Sequence, residues 1–277
     1  MTNSGNIDSL LIIAGRDNYP KIILEAARKS RVKNIHVIAF FGVTKKRNLD
    51  LANKVYWIKV GEFQKMIDII FKSGFKNVIM VGQISPKNIF SYKLDKKAKE
   101  ILASLEILNA HSIFKKIVSE IENTGAKVLP ANYFINDLIP VPGILTKRNI
   151  TETERKNLSI GIRFVKSNSN FDVGQTIALK SGYIVAVEAM EGTNATILRA
   201  SKLAGKNMTI VKVSKRNHDL RFDIPVVGIS TIRTMIKANA TCLGVEAKRT
   251  IIFNIKEVIE IANKNNIAII ASESNYE

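Results

Sequence analysis

The chain has almost no cysteine, because Cys242 is the single one among 277 residues. One cysteine excludes an internal disulfide framework and a cysteine-rich zinc site, and it agrees with a reducing compartment. No histidine lies near Cys242 in the sequence. We therefore interpret Cys242 as a small buried residue rather than as a nucleophile.

Long hydrophobic runs are also lacking. The longest apolar stretches, Leu10–Ala14 and Ile267–Ala271, are far too short to cross a bilayer. The first residues, M-T-N-S-G-N, lack the basic and apolar regions of a signal peptide. With 46% hydrophobic residues the chain can bury a full core, and its length favours two domains over one. The sequence therefore predicts a globular cytoplasmic protein.

Acidic residues are few relative to basic ones. There are 24 Asp and Glu against 42 Lys and Arg, which gives a net charge of +18. Such a charge would suit a nucleic acid, but the basic residues are dispersed and no DNA- or RNA-binding motif is present. We expect no nucleic-acid partner and favour attraction to phosphate or anionic lipid.

The N-terminal half alternates predicted strands and helices. A strand at Ser9–Ala14, a helix over Tyr19–Ser30 and a strand at Ile35–Phe40 form a βαβ opening, which is typical of a parallel doubly wound sheet. A dinucleotide site needs G-x-G-x-x-G, and only Gly15 is present here. The pattern favours a plain strand-to-helix turn over an NAD or FAD site, although such turns often receive phosphate.

Two further features organise this half. The loop G-Q-I-S-P-K-N follows the strand Val78–Val81, and it contains Gln83 at the sheet edge where ligands bind in open α/β folds. A helical stretch over Lys96–Asn123 is predicted to break near Asn109–Ser112. Pro140, Pro142 and Gly143 then mark a linker. We predict domains at 1–140 and 141–277.

The C-terminal half has clear local signals. Thr151 and Glu154 form a predicted capping box at the start of a helix. Ser181-Gly182 predicts a two-residue turn between two strands of a hairpin. We also expect Ser230 or Thr231 to cap a helix that reaches about Asn239.

The most heavily charged stretch is Val211–Gly228. It contains ionisable side chains that would be costly to bury without partners: Lys212, Lys215, Arg216, His218, Asp219, Arg221 and Asp223. Such a set suits a site that holds anionic oxygens beside a carboxylate. We expect His218 either to support neighbouring site residues or to lie at the surface, rather than to contact the substrate.

Two other carboxylate regions accompany this loop. The sequence E-A-M-E-G-T-N, Glu188–Asn194, ends a strand and opens a helix. Glu191 there fits a helix-start acid favoured by the helix dipole, and it fits equally a phosphate or metal site shared with Thr193. Glu246 and Arg249 follow another short strand.

The order of motifs resembles the UDP-2,3-diacylglucosamine pyrophosphatases of the LpxI type along nearly the whole chain. The N-terminal motifs are short, namely I-A-G with Tyr19-Pro20, V-G-x-F-x-K (Val60–Lys65) and V-G-x-I-x-P (Val81–Pro86). The C-terminal motifs are longer and more specific. They are P-G-I-L-T (Pro142–Thr146), F-D-V-G-Q (Phe171–Gln175), V-A-V-E-A-M-E-G-T-N (Val185–Asn194), D-L-R-F-D-I-P-V-V-G (Asp219–Gly228) and G-V-E-A (Gly244–Ala247).

The resemblance implies a cytoplasmic hydrolase of lipid A synthesis that cleaves UDP-2,3-diacylglucosamine into UMP and 2,3-diacylglucosamine 1-phosphate with a divalent metal, commonly Mg²⁺. It implies an α/β protein with a Rossmann-like N-terminal domain, a distinct α/β or α+β C-terminal catalytic domain, and substrate between them. The key aspartate of the family falls at Asp223, with Asp219 the nearest rival.

The site assignments combine this resemblance with the chemistry of the side chains. We expect Asp223 and Asp219 to be catalytic, and we expect a metal to be held by Asp223, Asp219, Glu191 and Glu246. The predicted substrate-binding residues are Lys212, Lys215, Arg221, Gly15, Gln83, Asp172, Gln175, Gly192, Thr193 and Arg249. Transient contact with the inner-membrane surface and a homodimer are further expectations.

The sequence departs from the family pattern in four places. Arg16 and Asp17 replace glycines after I-A-G, Gln83 replaces a basic residue, Asn109–Ser112 lacks an acidic pair, and Asn194 stands where the family has aspartate. These changes leave two rival interpretations. One is a nucleotide-binding α/β oxidoreductase, and the other is a non-catalytic homologue that binds a nucleotide-sugar lipid without hydrolysing it.

Overall fold

The computed structural model describes residues 7–84, 92–171, 173–216 and 218–273. The chain divides into two compact units. The N-terminal unit comprises Met1–Ile135 together with Leu220–Phe222, and the C-terminal unit comprises Asn136–Asp219 and Asp223–Glu277. A three-residue piece of the charged loop therefore belongs to the N-terminal unit.

The N-terminal unit alternates strands and helices, as predicted. Its elements are β1 (Ser9–Ala14), α1 (Tyr19–Lys29), β2 (Asn34–Phe40), β3 (Lys54–Ile58), α2 (Phe63–Ser73), β4 (Asn77–Val81), α3 (Lys96–Ala103), α4 (Ala110–Glu122) and β5 (Lys127–Val128). The strands form one sheet in the order β3-β2-β1-β4-β5, and each neighbouring pair is parallel. Its central strands are buried because helices pack against the sheet.

The predicted break in the long helix is confirmed. Asn109 caps α4 through a hydrogen bond from the backbone N–H of Ser112 at 2.8 Å, and Ser112 returns a capping contact to the backbone of Asn109. The reciprocal pairing satisfies two backbone donors that a helix end leaves without partners. The break itself spans residues 104–109, so it begins earlier than the predicted Asn109–Ser112, of which only Asn109 lies outside a helix.

The C-terminal unit is built on a mixed sheet. Its elements are β6 (Gly143–Ile144), α5 (Glu152–Ser167), β7 (Thr176–Lys180), β8 (Tyr183–Val187), α6 (Thr193–Ala204), β9 (Thr209–Lys212), β10 (Val226–Val227), α7 (Ile229–Lys237), β11 (Cys242–Glu246), β12 (Ile251–Ile252), α8 (Ile255–Lys264) and β13 (Ala268–Ser272). The main sheet has the order β6-β13-β11-β9-β7-β8, and β10 pairs with β12 separately.

Two apolar clusters cover the two faces of this sheet. One packs against α5, and the other packs against α6, α7 and α8. Gly161 lets α5 approach closely, because an added Cβ would lie 2.7 Å from Cγ2 of Val211 on β9. The strands β13, β11 and β9 run parallel, whereas β7 runs antiparallel to both β9 and β8. The start of β7 and the ends of β8, β9 and β11 therefore lie at the same sheet edge.

Three of the four local predictions for this unit are confirmed, and one is wrong. The capping box of Thr151 and Glu154 is confirmed, with hydrogen bonds of 2.8 and 3.2 Å. The hairpin is confirmed, and both turn residues, Ser181 and Gly182, have positive φ. The predicted cap at Ser230 or Thr231 is wrong, because α7 begins at Ile229 after Gly228, with no side-chain cap. Cys242 is buried, as predicted.

Within the described ranges, no helix combines the length and apolar character needed to cross a membrane.

Candidate active site

Strand register in the C-terminal unit brings three polar residues side by side. Thr176 is paired with Lys212 across β7 and β9. On the other side of β7, the backbone N–H of Glu188, just past the end of β8, donates to the carbonyl of Thr176 at 2.8 Å. The sheet edge therefore presents a hydroxyl between an ammonium group and a carboxylate.

Thr193, the first residue of α6, joins these side chains. Its hydroxyl accepts a hydrogen bond from Nζ of Lys212 at 2.6 Å and donates to Oε1 of Glu188 at 3.1 Å. The hydroxyl oxygen of Thr176 lies 3.2 Å from the hydroxyl oxygen of Thr193. Because Thr193 has one hydroxyl proton and gives it to Glu188, Thr176 acts as the donor in that contact. We call Thr176, Glu188, Thr193 and Lys212 the Thr193 network.

The ammonium group of Lys212 has hydrogen-bonding capacity to spare. It carries three N–H donors, and within the described residues its one hydrogen bond goes to Thr193. Burial lowers the pKa of Lys212, while the negative charges of Glu188 and Asp223 act to raise it. Burial has the larger effect, so the pKa of Lys212 is lowered overall, and the two carboxylates favour its protonated form.

Glu188 has an acceptor oxygen without a hydrogen bond among the described residues. Its Oε2 atom is buried and has no hydrogen-bond partner in the described part of the chain. Gly174 makes room for this side chain, because a Cβ added at residue 174 would lie 2.6 Å from Cβ of Glu188. The glycine of the F-D-V-G-Q motif therefore has a steric explanation, since any larger residue would displace Glu188.

Asp223 lies in the same unit and is hydrogen-bonded to Gln175, the residue after Gly174. Nε2 of Gln175 donates a short hydrogen bond to Oδ1 of Asp223. The backbone N–H of Asp223 donates to the carbonyl of Asp219 at 2.8 Å, which closes a turn between the two aspartates. The two predicted catalytic aspartates are therefore adjacent through their backbones, and Gln175 orients the carboxylate of Asp223.

Glu246 belongs to a separate buried cluster. Its oxygens lie 2.8 and 3.0 Å from Nζ of Lys166, and Oε2 accepts the backbone N–H of Ser214 at 2.9 Å. The hydroxyl of Ser214 donates a short hydrogen bond to the same oxygen. Burial lowers the pKa of Lys166, and the bond to Glu246 opposes that effect. Most of the hydrogen-bonding capacity of this carboxylate is thus used by protein donors.

The carboxylate of Glu191 is also bound by protein donors. Its Oε1 lies 2.5 Å from Nη2 of Arg199, and its Oε2 accepts the backbone N–H of Ala189 at 3.1 Å. These contacts, with Arg199 first, lower the pKa of Glu191 to about 2. The carboxylate therefore stays ionised and is held in the turn before α6, one residue ahead of the N-cap Gly192.

The four predicted metal ligands do not form one group. Among the residues that the structure describes, no cluster of three or more His, Cys, Asp and Glu side chains could hold a metal ion. Glu246 and Glu191 bind protein donors, whereas Asp219 and Asp223 are close neighbours. The predicted four-carboxylate metal site is therefore not assembled among the described residues.

The remaining predicted residues of this unit surround these clusters. Gly192 has a φ of 84° and precedes α6, so it sets the direction from which the backbone enters that helix. Arg249 places Nε 3.8 Å from Glu246 and Nη1 3.5 Å from Nδ1 of His218. Burial, followed by the charge of Arg249, lowers the pKa of His218, which also hydrogen-bonds to the backbone of Lys215.

Three predicted substrate-binding residues lie in the N-terminal unit. Arg221 forms an ion pair with Glu122 at 3.1 Å. The loops of Gly15 and Gln83 touch, since the N–H of Arg16 donates to the carbonyl of Gln83 at 2.9 Å. A Cβ added at Gly15 would lie 2.7 Å from the backbone of Gly82, so only glycine fits there. Asp172 lies outside the described residues.

Three residues that the sequence did not mark as candidates contact the predicted site residues. Thr176, Lys166 and Ser214 were not candidates, because nothing in their local sequence marks them. Glu188 did carry a signal, since it is the first carboxylate of E-A-M-E. The helix-start position drew attention to Glu191, three residues further on, whereas Glu188 is the carboxylate that contacts Thr193.

Family models match both parts of the chain. The LpxI N-terminal domain matches residues 9–138, and the LpxI C-terminal domain matches residues 141–270. A relative from Caulobacter vibrioides, named UDP-2,3-diacylglucosamine pyrophosphatase LpxI, is 23% identical over 217 residues, which cover 74% of this chain and 78% of the relative.

Solved structures give only distant likenesses. The biotin carboxylase subunit of pyruvate carboxylase aligns with a TM-score of 0.29 at 11% identity, over 72% of this chain and 42% of that one. The biotin carboxylase domain of the Hydrogenobacter thermophilus 2-oxoglutarate carboxylase aligns with a TM-score of 0.29 at 12% identity, over 71% and 42%. The chain thus spans less than half the length of these structures. Its two family matches together cover nearly all of its own length, and the chain belongs to the LpxI family.

Proposed function

We propose that this protein hydrolyses UDP-2,3-diacylglucosamine to UMP and 2,3-diacylglucosamine 1-phosphate, a step of lipid A biosynthesis. Membership of the LpxI family over both domains and the name of the Caulobacter relative support the activity. The structural observation that carries it is the placement of Lys212, whose ammonium group makes one hydrogen bond among the described residues and is acted on by the charges of Asp223 and Glu188.

The chemistry needed for this reaction matches these groups. Pyrophosphate hydrolysis requires stabilisation of charge on phosphoryl oxygens and a positioned water, with little covalent work for the protein. The N–H donors of Lys212 that have no acceptor among the described residues bind phosphoryl oxygens, and the N-terminus of α6 at Gly192 and Thr193 adds a favourable dipole. Asp223, oriented by Gln175, is the main catalytic carboxylate, with Asp219 beside it. Lys215, Arg221 and Arg249 contribute further positive charge.

We propose that Mg²⁺ or another divalent cation takes part. Mg²⁺ commonly uses one or two carboxylates together with substrate phosphates and water, and we propose Asp219 and Asp223, which lie next to each other in one turn, as its protein ligands. When bound, such a cation neutralises negative charge on phosphoryl oxygens. Chelation by EDTA is expected to abolish turnover, and restoration by Mg²⁺ would identify the requirement.

The proposal extends to architecture and location. The parallel strand order β3-β2-β1-β4-β5 supports a Rossmann-like N-terminal domain over residues 1–140, with a catalytic domain over 141–277. The protein would act in the cytoplasm, as a homodimer, and meet the inner-membrane surface transiently through its net charge of +18. Binding to anionic vesicles that is insensitive to salt would argue against this electrostatic contact.

A direct assay tests the activity. Purified protein is incubated with UDP-2,3-diacylglucosamine and Mg²⁺, and UMP release is measured. Asp223→Asn keeps the size of the side chain but removes its charge, and we expect turnover to fall by about 10²- to 10⁴-fold. Asp137→Asn, at an exposed position of the same unit, is the matched control.

Two outcomes would contradict the proposal. If the wild-type protein binds the substrate but releases no UMP, the alternative of a non-catalytic homologue is correct. If Asp223→Asn keeps full turnover, the catalytic role belongs to another residue. Stabilisation of the protein by NAD(H) on heating would instead favour the oxidoreductase interpretation.

A further inference from the structure

We propose that Glu188 is a second catalytic carboxylate, whose free Oε2 oxygen accepts a hydrogen bond from the attacking water and then takes its proton. This inference rests on the proposed hydrolase function. It assigns a role to a residue outside the predicted set, which contained Asp223, Asp219, Glu191 and Glu246.

The first support is the unfilled hydrogen-bonding capacity of Glu188. Its Oε2 is buried, and no hydrogen-bond donor reaches it within the described ranges. An acceptor buried without a partner costs about 1–3 kcal/mol, and more for a charged group, so natural proteins rarely keep one without a reason. A ligand or water that donates an O–H would remove this cost.

The second support is that the position of Glu188 is fixed from several sides. Its other oxygen accepts the hydroxyl of Thr193 at 3.1 Å. Its backbone pairs with Thr176 and, through its carbonyl, with the N–H of Gly174, both at 2.8 Å. Gly174 also leaves the space that the side chain fills. The free oxygen is therefore held in place by contacts that leave it available, as expected for a preorganised catalytic group.

The third support is the ammonium group of Lys212, which has N–H donors without an acceptor among the described residues. Lys212 reaches Thr193 from the other side at 2.6 Å and has N–H groups without a described protein acceptor. A site with a spare cationic donor and a spare anionic acceptor on either side of one hydroxyl fits a phosphoryl group next to a water molecule. Glu191 lacks this property, because both of its oxygens bind protein donors.

The chemical step balances without a further reactant. The water oxygen forms a bond to one phosphorus of the pyrophosphate as Glu188 takes the water proton. The bond between that phosphorus and the bridging oxygen breaks, and its electron pair leaves with the bridging oxygen on the departing phosphate. Lys212 stabilises the charge that develops on the phosphoryl oxygens. The proton on Glu188 then passes to solvent or product, which restores the carboxylate.

The test separates catalysis from structure. Glu188→Gln and the control Glu257→Gln, at an exposed carboxylate of α8, are compared with the wild type for kcat, KM and the binding of inorganic pyrophosphate by calorimetry. We expect kcat of Glu188→Gln to fall by about 10²- to 10⁴-fold with KM little changed. Pyrophosphate should bind at least as tightly as to the wild type, because one negative charge near Lys212 is lost. The control should match the wild type.

Each other outcome has a definite meaning. If Glu188→Gln keeps kcat within about threefold, or loses kcat and pyrophosphate binding together while folded, the inference is overturned. If Glu188→Gln does not fold, Glu188→Asp replaces it, because it keeps the charge but withdraws the oxygen. Glu188→Asp should bind pyrophosphate normally with reduced kcat, and normal kcat would overturn the inference. Absence of UMP release by the wild type would refute the proposed function itself.

Discussion

The ammonium group of Lys166 lies 2.8 and 3.0 Å from the two carboxylate oxygens of Glu246, and both side chains are almost completely buried. Lys166 comes from the last turn of α5 and Glu246 from the end of β11. Ser214, just beyond β9, adds two hydrogen bonds to the same carboxylate. The pair and Ser214 therefore link the end of α5 to the ends of β9 and β11.

Removal of one partner should destabilise the protein strongly. Lys166→Met leaves Glu246 as a buried charge without its counterion, and we expect the free energy of unfolding to fall by about 3–5 kcal/mol. Lys166→Met combined with Glu246→Leu should cost less than the sum of the two single changes, by more than about 1 kcal/mol. Urea denaturation of the four proteins measures this coupling.

The exposed pair Lys248 and Glu273 provides the control for that cycle. Its nitrogen and oxygen are 2.7 Å apart, but the side chains are 68% and 49% exposed. Disruption of this pair should change stability by less than about 1 kcal/mol. Equal coupling energies in the two cycles would show that burial does not strengthen the Lys166–Glu246 pair.

Gly174→Ala should impair catalysis more than folding. The added Cβ would lie 2.6 Å from Cβ of Glu188, so the carboxylate must shift away from Thr193. Misplacement of a catalytic group by about 1 Å can cost about 10²-fold in rate. We expect a loss of that order in kcat, measured by UMP release.

Gly228→Ala is the matched control for this substitution. Its added Cβ would have its nearest neighbour 4.0 Å away, on Phe253, and the backbone of Gly228 is extended. Activity within about twofold of wild type is expected. If both alanine variants lose activity equally, the loss is a general effect of replacing glycine.

The ion pair of Glu191 and Arg199 should make stability depend on pH in the acidic range. The pKa of Glu191 is lowered from 4.5 to about 2, chiefly by Arg199. Because the folded pKa lies below the unfolded one, this stabilisation is complete above pH 4.5 and is lost as the pH falls toward 2. Arg199 is half exposed, so the contribution at pH 7 should not exceed about 1 kcal/mol.

Glu191→Gln tests this dependence. Its urea midpoint should lie below that of the wild type at pH 7, and the difference should shrink between pH 4.5 and pH 3. A difference that stays constant over this range would mean that the charge of Glu191 does not cause it.

Cys242 should resist thiol reagents in the native protein. It is buried in β11, and burial raises the pKa of its thiol to about 12. Since the thiolate is the reactive form, almost none is present at pH 8. Labelling with a chromogenic disulfide reagent should proceed only after the protein is unfolded by urea, and fast labelling of the native protein would contradict the buried position.

Local signals in the sequence were sufficient for much of the fold. The capping box of Thr151 and the turn at Ser181-Gly182 depend on residues next to each other in the chain, and both are confirmed. The cap of α7 failed because a glycine can precede a helix without any side-chain contact, so the hydroxyls of Ser230 and Thr231 were a misleading signal.

The site was harder to predict because its contacts join distant parts of the chain. Glu246 meets Lys166 across 80 positions, and Lys212 meets Thr193 across 19. The sequence shows that these residues can carry charge, but the partner of each depends on strand order and register. The roles assigned to Asp223, Asp219 and the metal stay predictions.

The placement of Leu220–Phe222 in the N-terminal unit has a consequence for dissection of the protein. The ring of Phe222 stacks on the ring of Phe114, with the ring centroids 5.6 Å apart, and Arg221 forms an ion pair with Glu122. A fragment that ends at residue 140 would lack Arg221 and Phe222, and it would expose the apolar surface of α4 around Phe114. The N-terminal unit is thus discontinuous in sequence, and the first 140 residues are not expected to form a self-sufficient module when expressed alone.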